Sequence, residues 1–206
     1  MDEIKKIYAS YGSGHDFDHI ERVVENAKTI NETEQADQRL VNILALIHDI
    51  FDEKFYKGNN MDEDYYTLIE PLELTTEESE QLLLDLKQFG FKGGFQQPKL
   101  SKIGQIVSDA DRLDSIGAIG IARTMMYGDR LYDNNRAYSP PQSLSDYRVP
   151  RPILFHFYDK LLKIKDLMFT ETGKQMAQAR HEFMLVYLNQ LQKETNLILP
   201  QEDSHE

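Results

Sequence analysis

The chain contains no cysteine. That excludes disulfides, thiol nucleophiles, iron–sulfur clusters and cysteine-ligated zinc. Basic residues are in the minority, with 23 Lys and Arg against 35 Asp and Glu and a formal net charge of −12. A polymeric nucleic acid needs a basic face to displace its counterions, so it is not the expected partner. No apolar run approaches the length of a membrane span. The opening residues, Met1-Asp2-Glu3-Ile4-Lys5-Lys6, lack the basic and apolar regions of a signal peptide. The expectation is a cytoplasmic protein with no membrane partner. Strand-like alternation, hairpin dipeptides between apolar runs and internal repeats are also missing.

What remains is helical spacing over a globular composition, 40% hydrophobic and 28% charged. A chain of 206 residues buries about 70% of its unfolded-chain surface and needs no covalent staples. Residues 1–200 read as a single domain with C-terminal helices, and 201–206 as a frayed polar tail. Ile20, Val23, Val24, Ala27 and Ile30 recur at helical intervals. Leu40 to Ile50 is apolar on almost every side, as in a central buried helix. Thr75 and Glu78 form a capping-box pattern ahead of Leu82, Leu83, Leu86 and Phe89, with Gly90 placed to close that helix. Ile103, Val107, Ala110 and Asp114 share a face of a further helix, which Gly117 and Gly120 either prolong or follow. Two amphipathic helices are expected at about 153–168 and 174–193. The fold expected is an all-α bundle of roughly seven to nine helices.

Two stretches depart from this pattern. Residues 130–152 hold four of the seven prolines, Pro140, Pro141, Pro150 and Pro152. They read as a long loop, either a lid or a plain connection. From Gly58 to Leu86 there are nine acidic residues and no Lys or Arg. A solvated acidic face is the reading, since no Asp-x-Asp-x-Asp-Gly calcium loop is present.

Polar residues at core positions carry the chemistry. His48 and Asp49 end the most apolar helix, where a carboxylate costs free energy unless it is paired or bound to a cation. Asp111 lies about 40° from Val107 around its own helix, on the apolar face, at ~100° per residue. His19 borders the apolar face of the first helix. Two neutral imidazoles and two carboxylates balance one divalent cation, and four protein ligands leave open positions on a six-coordinate ion. That is the stoichiometry of a catalytic site, whereas a structural site is closed. His15, four residues before His19, is a rival for that position.

These residues also resemble a known family. His19-Ile20-Glu21-Arg22-Val23, then His48-Asp49, then Ala110-Asp111-Arg112-Leu113 resemble the ordered signature of the HD-domain metal-dependent phosphohydrolases. The resemblance spans roughly 14–123. The segment His156-Phe157-Tyr158-Asp159-Lys160-Leu161-Leu162-Lys163 looks like a subgroup of small bacterial HD hydrolases. Carried over, the metal ligands are His19, His48, Asp49 and Asp111, holding one ion of Mn, Fe, Co or Mg. His19 is preferred to His15 because Gly12 and Gly14 point to a helix start after His15, and because His19 precedes Arg22-Val23 with the family's spacing. With no histidine between His48 and His156, a histidine-rich dinuclear site is not expected.

The acidic pair Asp52 and Glu53 resembles the pair that follows the HD dipeptide in enzymes removing pyrophosphate from guanosine polyphosphates. If the helix continues, the pair stands one turn beyond His48, placed to orient or deprotonate a water. Lys54 follows directly. His156, Lys160 and Lys163 fall at i, i+4 and i+7, with Arg148 and Arg151 before them, as the only basic concentration in the chain. Lys54 and Lys160 are the expected partners of substrate phosphates. The activity implied is hydrolysis of a small phosphorylated metabolite, a nucleotide, at a phosphoanhydride bond. A regulatory HD module that senses a nucleotide without turnover is the alternative.

Overall fold

The computed structural model describes residues 8, 17–52, 56–89, 98–128, 130–132, 138–147 and 149–195. Every regular element among them is helical, as the spacing predicts. No helix among the described residues is long and apolar enough to cross a membrane. The chain divides into two compact units, the first built from 1–90 and 98–111, the second from 91–97 and 112–206.

The first unit is organised around two antiparallel helices, α1 (Phe17–Glu34) and α2 (Gln38–Ile47). Asn31 builds the turn between them. Its carboxamide accepts from Ala36 N (2.8 Å) and donates to Ala36 O (3.1 Å), while Gln35 takes a positive φ of 55°. Asp37 caps α2 by accepting from Arg39 N (2.8 Å) and Leu40 N (3.3 Å), two donors without intrahelical partners. The apolar faces meet through Ile20, Val23, Ala27 and Ile30 on α1 and Leu40, Val41, Leu44 and Ala45 on α2, all buried. Fully burying one such aliphatic side chain contributes about 1.5–3 kcal/mol, so this seam anchors the unit.

Two more helices and the larger part of a third, up to Asp111, complete it. These are α3 (Met61–Ile69), continued by a 3₁₀ turn (Glu70–Leu72), then α4 (Thr76–Leu86) and α5 (Lys102–Asp114). The capping box is present: Thr75 Oγ1 accepts from Glu78 N (3.2 Å), and Glu78 accepts from Thr75 N (2.8 Å). Gly90 lies outside the described residues. The buried Asp85 of α4 fixes the start of α5. It accepts from Ser101 N (2.8 Å) and Ser101 Oγ (2.5 Å), and that hydroxyl accepts from Gly104 N (3.0 Å). The acidic stretch is partly neutralised from outside itself, by Lys87 on Asp62 (2.7 Å) and Arg39 on Glu78 (2.8 Å).

In the second unit, α6 (Gly117–Tyr127) is a separate helix after α5. Gly117 has φ +74°, a left-handed backbone that glycine tolerates. A short helix α7 (Leu144–Tyr147) interrupts the proline-rich stretch. That stretch is tied at its ends, because Ile153 N donates to Arg130 O (2.9 Å) and Leu154 N to Leu131 O (3.1 Å).

The expected helix over 153–168 is broken. It forms α8 (Ile153–Asp159) and a 3₁₀ segment (Leu161–Leu167), with Lys160 at φ −133°, ψ −62° between them. Leu161 and Ile164 are buried, and a spacing of three suits 3₁₀ geometry. His156, Lys160 and Lys163 therefore do not form one α-helical stripe. The last helix, α9 (Glu171–Thr195), packs on α6 and on the 3₁₀ segment.

Candidate metal centre

The four expected ligands come from three helices of the first unit. His19 sits in the first turn of α1, His48 is the C-cap of α2, Asp49 follows it in the terminating turn, and Asp111 lies on α5. The hairpin folds α2 back along α1, bringing the His19 and His48 rings to 5.4 Å between centroids, edge to face. Asn26, two turns along α1 from His19, donates to Ala110 O (3.2 Å) and so holds α5 beside α1 next to Asp111.

Asp49 spans the two imidazoles, its Oδ2 at 3.4 Å from His19 Nε2 and its Oδ1 at 3.5 Å from His48 Nε2. Asp111 Oδ1 lies 3.6 Å from the same atom of His19 and 3.8 Å from that of His48. These separations are long for hydrogen bonds. They are close to the roughly 3.0–3.5 Å edges of a polyhedron whose ligands lie about 2.1 Å from a central ion. His19, His48 and Asp49 are buried, while the Asp111 side chain is 44% exposed and marks the open side.

The tautomer of His48 fits the same reading. Its Nδ1 lies 2.8 Å from Ala45 O, so an N–H there donates to the carbonyl and leaves a lone pair on Nε2. That buried Nε2 has no hydrogen-bond partner among the described residues. A buried, correctly oriented acceptor with no donor is what a metal ion satisfies.

The electrostatics match a cation-shaped demand. Burial opposes charge on His48, but Asp49 and Asp111 outweigh it and hold its pKa at about 9. Burial also pushes the Asp111 carboxyl up, and His48 beside it more than reverses this, leaving it below the usual range.

The remaining expected residues are placed as follows. Asp52 is half-buried, three residues past Asp49; Asp52 N donates to Asp49 O at 3.1 Å and Ile50 N to Ile47 O at 3.1 Å. The helix expected to continue through this point ends at Ile47, and Asp52 follows it along a run of tight turns. Glu53 and Lys54 lie outside the described residues, as does His15. Lys160 is half-buried in the second unit and lines a cavity there. Asp114 is buried in the second unit and accepts from Arg123 Nη1 at 2.6 Å. Among the described residues, the histidines and carboxylates able to converge on one ion are His19, His48 and Asp49, with Asp111 against both rings. Asn26 was not singled out from the sequence, although its spacing of seven from His19 places it on the same helix face.

Known proteins are similar to this one over nearly the whole chain. The HD domain family pattern matches residues 16–116. The uncharacterized protein YpgQ of Bacillus subtilis is 34% identical over 199 residues, covering 93% of this chain and 89% of that protein. Its crystal structure in complex with ADP superposes with a TM-score of 0.73 over 94% of this chain and 97% of that one, at 34% identity. A Lactobacillus plantarum protein gives a TM-score of 0.81 at 31% identity, over 95% and 94% of the two chains. An HD-superfamily hydrolase of Bacillus thuringiensis gives 0.74 at 35% identity, over 96% and 95%.

Proposed function

The chain belongs to the HD-domain family, and from that premise we propose that it is a metal-dependent phosphohydrolase of a small phosphorylated metabolite, a nucleotide, cleaving a phosphoanhydride bond. The observation that carries this reading is the convergence of His19 Nε2, His48 Nε2 and the carboxylates of Asp49 and Asp111 within 3.4–3.8 Å. His19, His48, Asp49 and Asp111 would hold one divalent ion, Mn, Fe, Co or Mg given the mixed nitrogen and oxygen donors. When bound, such an ion neutralises phosphoryl oxygens and lowers the pKa of a coordinated water.

The chain's own residues take the other tasks. The Ala45 carbonyl fixes the His48 ring, so the ligand geometry precedes substrate. Asp111, on the solvent side, leaves the approach open. Asp52 is assigned the proton of the attacking water, with Glu53 second in line, and Lys54 the charge of a substrate phosphate. The ADP bound in the YpgQ crystal supports a nucleotide as the ligand class.

The test is a nucleotide panel incubated with the purified protein and Mn²⁺ or Mg²⁺, with phosphate and pyrophosphate release measured separately. Release that vanishes with chelator and returns with metal is the expected result. Nucleotide binding with no product under any divalent ion would replace this reading with a nucleotide-sensing module.

A further inference from the structure

Tyr8 is 1% exposed, and its ring and hydroxyl each meet the end of a ligand-bearing helix. Its ring lies 6.4 Å from that of Phe17, the first residue of α1, tilted by 55°. Its hydroxyl donates at 3.0 Å to Leu46 O, in the last turn of α2. Phe17 stands two residues before His19, and Leu46 two residues before His48. One side chain thus spans the start of α1 and the end of α2, the two helix termini that carry the histidines.

The way α2 ends explains why Leu46 needs this donor. In a longer α-helix Ile50 N would donate to Leu46 O, four residues back. Here Ile50 N donates to Ile47 O at 3.1 Å, the spacing of a 3₁₀ turn. His48 and Asp49 are the two residues enclosed by that turn. The tightening takes the helical donor away from Leu46 O, and the Tyr8 hydroxyl supplies another. Ala45 O, one residue earlier, is met by His48 Nδ1 at 2.8 Å. A partly buried carbonyl without a donor is costly, so the hydroxyl stabilises the tight turn relative to a continued helix. The turn in question presents Asp49, whose oxygens lie 3.4 Å and 3.5 Å from the Nε2 atoms of His19 and His48.

We infer that Tyr8 is a positioning residue of the metal centre. Its hydroxyl holds the turn that encloses His48 and Asp49, and its ring seats the start of α1 that carries His19. This role rests on the metal-binding reading of His19, His48, Asp49 and Asp111. Tyr8 lies ahead of residues 16–116, the part that matches the family pattern, so the brace comes from outside the matched region. The hydroxyl acts through the placement of ligands alone. Groups that orient metal ligands are worth roughly 10–100-fold in affinity, and Tyr8, which holds the backbone beside the ligands, belongs at the low end.

The experiment is isothermal titration of the metal-free full chain with Co²⁺, together with the visible absorption of the Co²⁺-loaded protein. Tyr8→Phe removes one oxygen and keeps the ring. It should bind Co²⁺ about tenfold more weakly and shift the absorption band, because the ligands are less well placed. Ile69→Val, a core substitution in α3, which carries no ligand, controls for loss of stability. It should lower the urea midpoint of the metal-free protein and keep wild-type affinity and band. Unchanged affinity or an unchanged band in Tyr8→Phe would make Tyr8 a packing residue and overturn the inference. An equal loss of affinity in Ile69→Val would overturn it too, by reducing the effect to general destabilisation. A wild-type chain that takes up no Co²⁺ would instead remove the metal centre itself and the brace with it, so the two failures are told apart.

Discussion

His48 Nδ1 lies 2.8 Å from the carbonyl oxygen of Ala45, three residues earlier in the same chain. Ending α2 at Ile47 leaves that carbonyl available, since the last turn of a helix has no further N–H to donate to it. The helix end and the tautomer that keeps a lone pair on Nε2 are thus one local fact. The His48 ring is aimed by the backbone that precedes it, and Asp49 follows in the same turn.

The first prediction is loss of metal on removal of a ligand. His48→Ala and Asp49→Ala should each leave the purified protein without stoichiometric metal by elemental analysis, and without turnover. Asp111→Ala should act likewise, because its Oδ1 lies against both imidazoles. His15→Ala should keep its metal. Full metal occupancy in both His48→Ala and Asp49→Ala would remove the site assignment.

Asp52→Asn separates the proton role from the ligand role. The amide keeps the shape and the turn in which Asp52 N donates to Asp49 O, so metal content should be unchanged. Loss of a general base lowers kcat by roughly 10²–10⁴-fold. Unchanged kcat would pass the role to Glu53, and lost metal would make Asp52 a ligand.

Much of this site is legible in the sequence because it violates the helical pattern. His19, His48, Asp49 and Asp111 are polar at positions where spacing demands apolar side chains, and only pairing or a cation compensates for that. The capping box at Thr75 and Glu78 is equally legible, since both halves lie within one turn. The end of α2 is not. Leu40 to Ile50 stays apolar past Ile47, and burial of Ile50 and Phe51 in the following turns satisfies that pattern as well as a longer helix would. The break at Lys160 is hidden in the same way, because Leu161, Leu162 and Ile164 suit either helix type. The pairing of Arg151 with Asp159 is hidden differently. A spacing of eight residues across Pro152 and a whole helix carries no local signal, and only the packed structure brings the two together.

Stability should depend on pH through His156. Burial, reinforced by Lys160, lowers its folded-state pKa from the ordinary 6.5 to about 4. Above pH 6.5 the ring is neutral in both states and contributes no pH dependence. Between 6.5 and about 4 the unfolded chain takes up a proton that the folded chain refuses, so stability falls as the pH falls. The loss attributable to this group is at most about 3–4 kcal/mol, from about 1.4 kcal/mol per unit. Urea titrations at pH 7.5 and 4.5 should show His156→Gln losing less stability across that interval than the wild type. An equal loss in both proteins would assign the acid sensitivity elsewhere.

The ion pair of Arg151 and Asp159 should show the asymmetry of a buried charge. Their side chains are 12% and 3% exposed, and burial raises the Asp159 pKa although Arg151 and its other partners pull the other way. Arg151→Met keeps the apolar stem over Phe155 and Tyr138 but leaves a carboxylate in the interior without its cation. Breaking a buried pair from one side costs about 3–5 kcal/mol. Adding Asp159→Asn removes the stranded charge, so the double variant should recover most of that loss even though it has fewer hydrogen bonds than the wild type. Chemical denaturation of the wild type, both single variants and the double variant closes the cycle. A double variant no more stable than Arg151→Met would mean that the stacking of Arg151, and not its charge, holds this part of the chain in place.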